Sequence, residues 1–186
     1  MKPKLLFTIS LILVLFFSSC ENNRVEYTEE EKLDIYYNEI INSLDQNLAS
    51  DIKILTTKAG KENEEIILYS YYNNAYKSKR LVLKSAIFHY YGNVKFFDLS
   101  EQNSQDLPIS FGSRGGIDND EKGRMITFGA INDENIKHIK LLYSDDLLIE
   151  LPIEDEGFIV IRDDFFEGVI EISAYDEDLN EVYKFP

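Results

Sequence analysis

The stretch LVLKSAIFHYYGNVKFFDL, residues 81–99, decides the fold. Leu81 to Tyr91 is rich in branched and aromatic side chains and apolar at nearly every position except Lys84, Ser85 and His89. It shows no helical period, so it reads as a central strand buried on both faces. Gly92 and Asn93 follow, and Val94 to Leu99 resumes the same composition. The segment therefore predicts an antiparallel hairpin whose turn uses the positive φ that glycine adopts without a Cβ clash.

The same grammar recurs on both sides of this hairpin. Further runs of branched and aromatic residues stand at Ile52–Thr57, Ile66–Tyr72, Met125–Ile131, Ile136–Tyr143, Leu147–Leu151, Phe158–Arg162, Val169–Tyr175 and Glu181–Phe185, separated by Gly, Asn and Asp. Ten strands predict a mainly β domain over residues 51–186, an antiparallel β-sandwich, immunoglobulin-like or similar. Between Leu99 and Lys122 the pattern lapses into Gly112, Gly115 and Gly116 among polar residues, and the expectation there is a long loop or excursion.

Ahead of the strands lies one helical pattern. Thr28 and Glu31 form a capping box, and Leu33, Tyr37, Ile40, Ile41, Leu44 and Leu48 recur at helical spacing. Acids crowd the opposite face and Lys32 is its only base, unlike a membrane-surface helix, so the amphipathic helix is expected to pack on the β domain.

Composition narrows the function. With 19 Lys plus Arg against 34 Asp plus Glu, the net charge of -15 repels phosphate backbones and argues against nucleic-acid binding. A single cysteine excludes an intrachain disulfide framework and a thiolate zinc cage. Neither His89 nor His138 has a nucleophile near it in sequence, and no cofactor fingerprint occurs. Ser110 to Gly116 lacks the Gly-Lys-Ser/Thr ending of a phosphate loop. Asp118 and Asp120 begin a calcium-like alternation, but Lys122 and Gly129 stand where the fifth and twelfth positions need oxygen ligands. No metal site is expected. The acids Asp145 and Asp146, Glu154 to Glu156, Asp163 and Asp164, and Asp176 and Asp178 fall between strands, where they read as turn formers. The one cluster suited to a binding surface is aromatic: Tyr69, Tyr71, Tyr72, Tyr90 and Tyr91, with Tyr76, would form a platform for a glycan or peptide if neighbouring strands expose them together.

The amino terminus carries a secretory layout. Lys2 and Lys4 precede an apolar run from Leu5 to Phe17, interrupted by Thr8 and Ser10 and too short to cross roughly 30 Å of hydrocarbon as a helix. Ser18, Ser19 and Cys20 then resemble the lipobox of bacterial lipoproteins, with Phe17 where that motif usually has Leu. The resemblance implies removal of residues 1–19 as a signal peptide and acylation of Cys20. Residues 20–50 would then be a lipidated tether and helix. The loss takes Lys2 and Lys4 and no acid, leaving a body still more acidic.

A second resemblance rests on Ile126-Thr-Phe-Gly-Ala-Ile-Asn-Asp133, Ile136 to Tyr143, Gly157-Phe-Ile-Val160 and Ala174-Tyr-Asp-Glu-Asp-Leu-Asn-Glu-Val-Tyr183, which look like small uncharacterised lipoproteins of Bacillus-like bacteria. It implies a β-rich fold and a cell-surface address, with no activity to carry over. The expected protein is a membrane-anchored extracytoplasmic lipoprotein, lipid-anchored through Cys20, that serves as a non-enzymatic binding or interaction module for an envelope protein or glycan. The alternative is an envelope enzyme or enzyme accessory whose paired carboxylates converge from separate loops, for example on glycans.

Overall fold

The computed structural model describes residues 25–89, 92–104, 107–117, 123–163 and 168–186. The leader 1–19, Cys20, Tyr90, Tyr91, Asp118, Asp120, Lys122 and Asp164 lie outside them. Among the described residues, no helix is long and apolar enough to cross a membrane.

The chain enters through α1 (Glu29–Ser43), whose capping box forms as expected. The Thr28 N–H donates to Glu31 Oε2 at 2.8 Å and the Glu31 N–H donates to Thr28 Oγ1 at 3.2 Å. The Thr28 N–H and the Thr28 hydroxyl, both donating to the Glu31 carboxylate, hold it below its ordinary range. Glu29, Glu30 and Glu31 in the first turn also complement the positive end of the helix dipole. The buried face is Tyr36 and Ile40, whereas Leu33 and Tyr37 of the expected stripe are 45% and 43% exposed. The stripe is therefore rotated by one position. Its anchor is Tyr36, whose ring meets Phe88 and Phe96 edge-on, and Ile40 follows one turn later in a cluster with Tyr69, Tyr71 and Val82.

Four long strands form a meander beneath the helix: β1 (Ala49–Ala59), β2 (Glu64–Asn73), β3 (Ser78–Phe88) and β4 (Val94–Asn103), each antiparallel to the next. Gly92 takes the positive φ expected of it, +82°. The reversal is wider than Gly92 and Asn93 alone, because the Gly92 N–H donates to the His89 carbonyl at 3.0 Å and the His89 N–H to the Asn93 carbonyl at 2.8 Å.

The segment expected as a long loop is largely strand. β4 continues to Asn103, and Ile109–Ile117 forms β5, paired along its length with β6 (Gly123–Ile131). The glycines mask it in sequence by removing the side chains that carry the alternation. At Gly112 a Cβ would lie 2.6 Å from the end of the Gln102 side chain of β4, so the two strands approach closely there. β7 (His138–Tyr143), β8 (Leu148–Pro152), β9 (Gly157–Asp163), β10 (Val169–Tyr175) and β11 (Glu181–Phe185) complete the fold.

These seven later strands form a sandwich: a sheet ordered β5-β6-β9 faces one ordered β11-β10-β7-β8. The connectivity is that of immunoglobulin-like domains, with the fourth strand paired to the third rather than lying beside the fifth. Alternate residues of the middle sheet serve two cores. Ile126, Phe128, Ala130 and Ile159 pack on Leu55, Ile66, Leu68, Leu81 and Leu83 of the meander. Ile109, Phe158 and Val160 pack on Ile139, Leu141, Tyr143, Ile172 and Ala174. The order of layers is therefore helix, meander, middle sheet, outer sheet. A fully buried Leu, Ile or Phe contributes about 1.5–3 kcal/mol, so two such cores can hold the domain without a disulfide or metal.

Candidate functional site

Of the tyrosines expected as a platform, Tyr90 and Tyr91 lie outside the described residues, and Tyr69, Tyr71 and Tyr72 do not share an exposed face. Tyr69 and Tyr71 are 2% and 6% exposed on the meander face that α1 covers, with ring centroids 6.4 Å apart and the Tyr71 hydroxyl donating to Glu101 at 3.0 Å. Burial pushes both hydroxyls above the ordinary tyrosine range. Tyr72 alternates to the opposite face and is half-buried, and Tyr76 projects from the β2–β3 turn beside Arg80. The physical cause for Tyr69 and Tyr71 is that the helix packs on the meander face that carries them.

Several of the described acids are engaged by separate partners. Asp145 is held by both Nη atoms of Arg162, at 3.0 and 2.7 Å, and that guanidinium lies 4.5 Å from the Tyr143 ring centroid. Glu156 meets Lys53, Asp155 accepts from Thr56 at 2.9 Å, and Asp163 pairs with Lys61 at 3.4 Å. Asp176 accepts the backbone N–H groups of Asp178 and Asn180 at 3.0 and 2.8 Å, closing the β10–β11 turn. Among the described residues, no three His, Cys, Asp or Glu side chains group to hold a metal. His89 is exposed beyond the end of β3 rather than in a core.

The structure brings together a set that the sequence reading missed, on the outward face of the outer sheet. Two rows of paired residues cross that face, Tyr175-His138-Pro152 and Ser173-Lys140-Glu150. A cavity of about 420 Å³ lies over them, with Leu179 of the β10–β11 turn as a further wall. Lys140 Nζ bonds Glu150 Oε1 at 2.8 Å and stands 5.2 Å from the Tyr175 ring centroid. The hydrogen bond to Glu150 raises the Lys140 amine above its ordinary range. The volume is that of a small-molecule site, and a ring, an imidazole and a carboxylate face into one opening with apolar walls.

Leu179 itself is unusual. It is 65% exposed and holds φ +62°, and among the described non-glycine residues with positive φ, namely Asp51, Glu62, Lys77, Asp146 and Leu179, it is the only apolar one. Its N–H donates to the Asp176 carbonyl at 3.1 Å. The Asn180 side chain and backbone hold the Asp176 carboxyl below its ordinary range. The sequence signal for this site was modest: the alternation His138, Lys140, Leu142 on one strand, and Tyr175 just ahead of an Asp-rich turn.

Protein-family models, curated proteins and solved structures contain no match to this chain.

Proposed function

We propose that the chain is a lipid-anchored extracytoplasmic lipoprotein whose β body is a non-enzymatic module that binds an envelope component. The observation that carries the reading is the chain's only cysteine, directly after two serines at the end of a short apolar leader. Anchored there, the body stands close to the bilayer, because the five residue steps from Cys20 to Val25 span at most roughly 18 Å. The arm entering the fold is fastened: the Tyr27 hydroxyl donates to the Gly92 carbonyl at 2.7 Å and its ring lies 5.5 Å from that of Phe88. The end of the body bearing the β3–β4 turn is thus the membrane-proximal one.

The pocket lies at the other end. The β1–β2 turn shares the proximal end, Lys61 of that turn meets Asp163 at the close of β9, and its neighbour Arg162 grips Asp145 in the β7–β8 turn. His138 and Tyr175 occupy the opposite ends of β7 and β10. Such an arrangement suits a module that offers its binding face away from the lipid. Fractionation of cells with protease shaving tests the reading: the native chain should be membrane-bound and digestible from outside, and Cys20→Ala should be released or left as an unprocessed precursor. A native chain found in the cytosolic fraction overturns it.

A further inference from the structure

We infer that the cavity over Tyr175, His138 and Glu150 is a binding site for a neutral saccharide unit, with Tyr175 as the stacking platform and Leu179 as the apolar wall. The inference deepens the binding-module reading and rests on it, but not on the lipid anchor. Charge selects the class of ligand. The Lys140 amine is already engaged by Glu150 at 2.8 Å rather than free for an anionic ligand, and a chain of net charge -15 repels anions at longer range. Shape selects the size. The eight residues lining the cavity come from the ends of three strands and one turn, which makes a compact bowl for one or two rings rather than a groove for an extended chain.

Chemistry selects the contacts. An aromatic face accepts the C–H side of a pyranose, and the Glu150 carboxylate, the His138 imidazole and the Tyr175 hydroxyl supply acceptors and donors for its hydroxyls. Lys140 stands 5.2 Å from the Tyr175 ring centroid, a cation contact that favours this placement of the ring. Leu179 gives an independent indication. A left-handed backbone position in a turn is filled without strain by Gly or Asn, yet here it holds an exposed leucine at the cavity rim.

The test uses the full chain in detergent micelles, with saturation-transfer NMR and calorimetry against chitobiose, cellobiose and maltose, a uronate-containing disaccharide as the charged counterpart, and a proline-rich peptide as the rival class. At least one neutral disaccharide should bind saturably at millimolar concentration or below. Tyr175→Ala should weaken it by about tenfold, equivalent to ~1.4 kcal/mol. Leu179→Asn should weaken binding while keeping or raising the thermal midpoint, and Tyr76→Ala, 72% exposed elsewhere, should change nothing. Cys20→Ala should retain the same affinity, which separates this result from the fate of the anchor. Failure of all three neutral sugars to bind, tighter binding of the uronate or the peptide, or affinity unchanged in both Tyr175→Ala and Leu179→Asn overturns the inference.

Discussion

Arg124 of β6 and Glu64 of β2 meet at 2.6 Å across the joint between the middle sheet and the meander, with side chains only 13% and 14% exposed. The second oxygen of Glu64 accepts from Ser85 Oγ at 2.7 Å. Removing one member of such a pair strands a charge in a low-dielectric gap. Arg124→Met should therefore cost about 3 kcal/mol, and adding Glu64→Gln should recover part of the loss. Denaturant titration of the two single variants and the double variant measures the coupling. Additive losses would show that the bridge contributes nothing beyond its parts.

The rotated stripe of α1 gives a second expectation. Ile40 is fully buried between the helix and the meander, so Ile40→Ala should cost about 2–4 kcal/mol. Leu33→Ala should stay within about 0.5 kcal/mol, because Leu33 faces solvent. Thermal unfolding of the two variants compares them directly, and equal losses would contradict the register of the helix.

Two glycines should behave oppositely. A Cβ at Gly129 would lie 2.5 Å from the Phe158 ring and 2.8 Å from the Ser110 carbonyl oxygen, whereas at Gly116 it would meet nothing within 4 Å. Gly129→Ala should destabilise by about 1–3 kcal/mol, since the middle sheet is packed on both faces and cannot yield there. Gly116→Ala should be neutral or slightly stabilising. Denaturation midpoints decide between these outcomes.

Acid should loosen the end of the sandwich that carries the β7–β8 turn. The Arg162 guanidinium holds the Asp145 carboxyl below its ordinary value of about 3.8. A depressed folded-state pKa contributes stability that is present above the unfolded value and is lost as pH falls through the folded one. The thermal midpoint of the native chain should thus fall more steeply than that of Asp145→Asn as pH drops below about 4. Parallel curves for the two would assign the acid sensitivity to other carboxylates.

Much of the architecture was readable because the strands bury both faces. Ile66, Ile67, Leu68 and Tyr69 are consecutive buried residues, and that continuous run is what a sheet covered on two sides requires. The same fact explains the misplaced platform: Tyr69 and Tyr71 alternate onto one face, but periodicity along a strand cannot say that a helix covers that face. β5 was hidden because Gly112, Gly115 and Gly116 erase the alternation by which a strand is recognised. The helix register slipped because Tyr36 and Tyr37 are both amphipathic, and only contact with Phe88 and Phe96 selects the first. The candidate pocket needed the pairing of His138 with Tyr175 and Pro152, three residues separated by long stretches of chain.

The proposal of an anchored binding module depends most directly on the chemical state of Cys20. Mass spectrometry of the amino-terminal peptide from the membrane fraction measures it. The account predicts a peptide that begins at Cys20 and carries the mass of a thioether-linked diacylglycerol. A peptide spanning the leader and Cys20 with an unmodified thiol, recovered from a soluble chain, would contradict it.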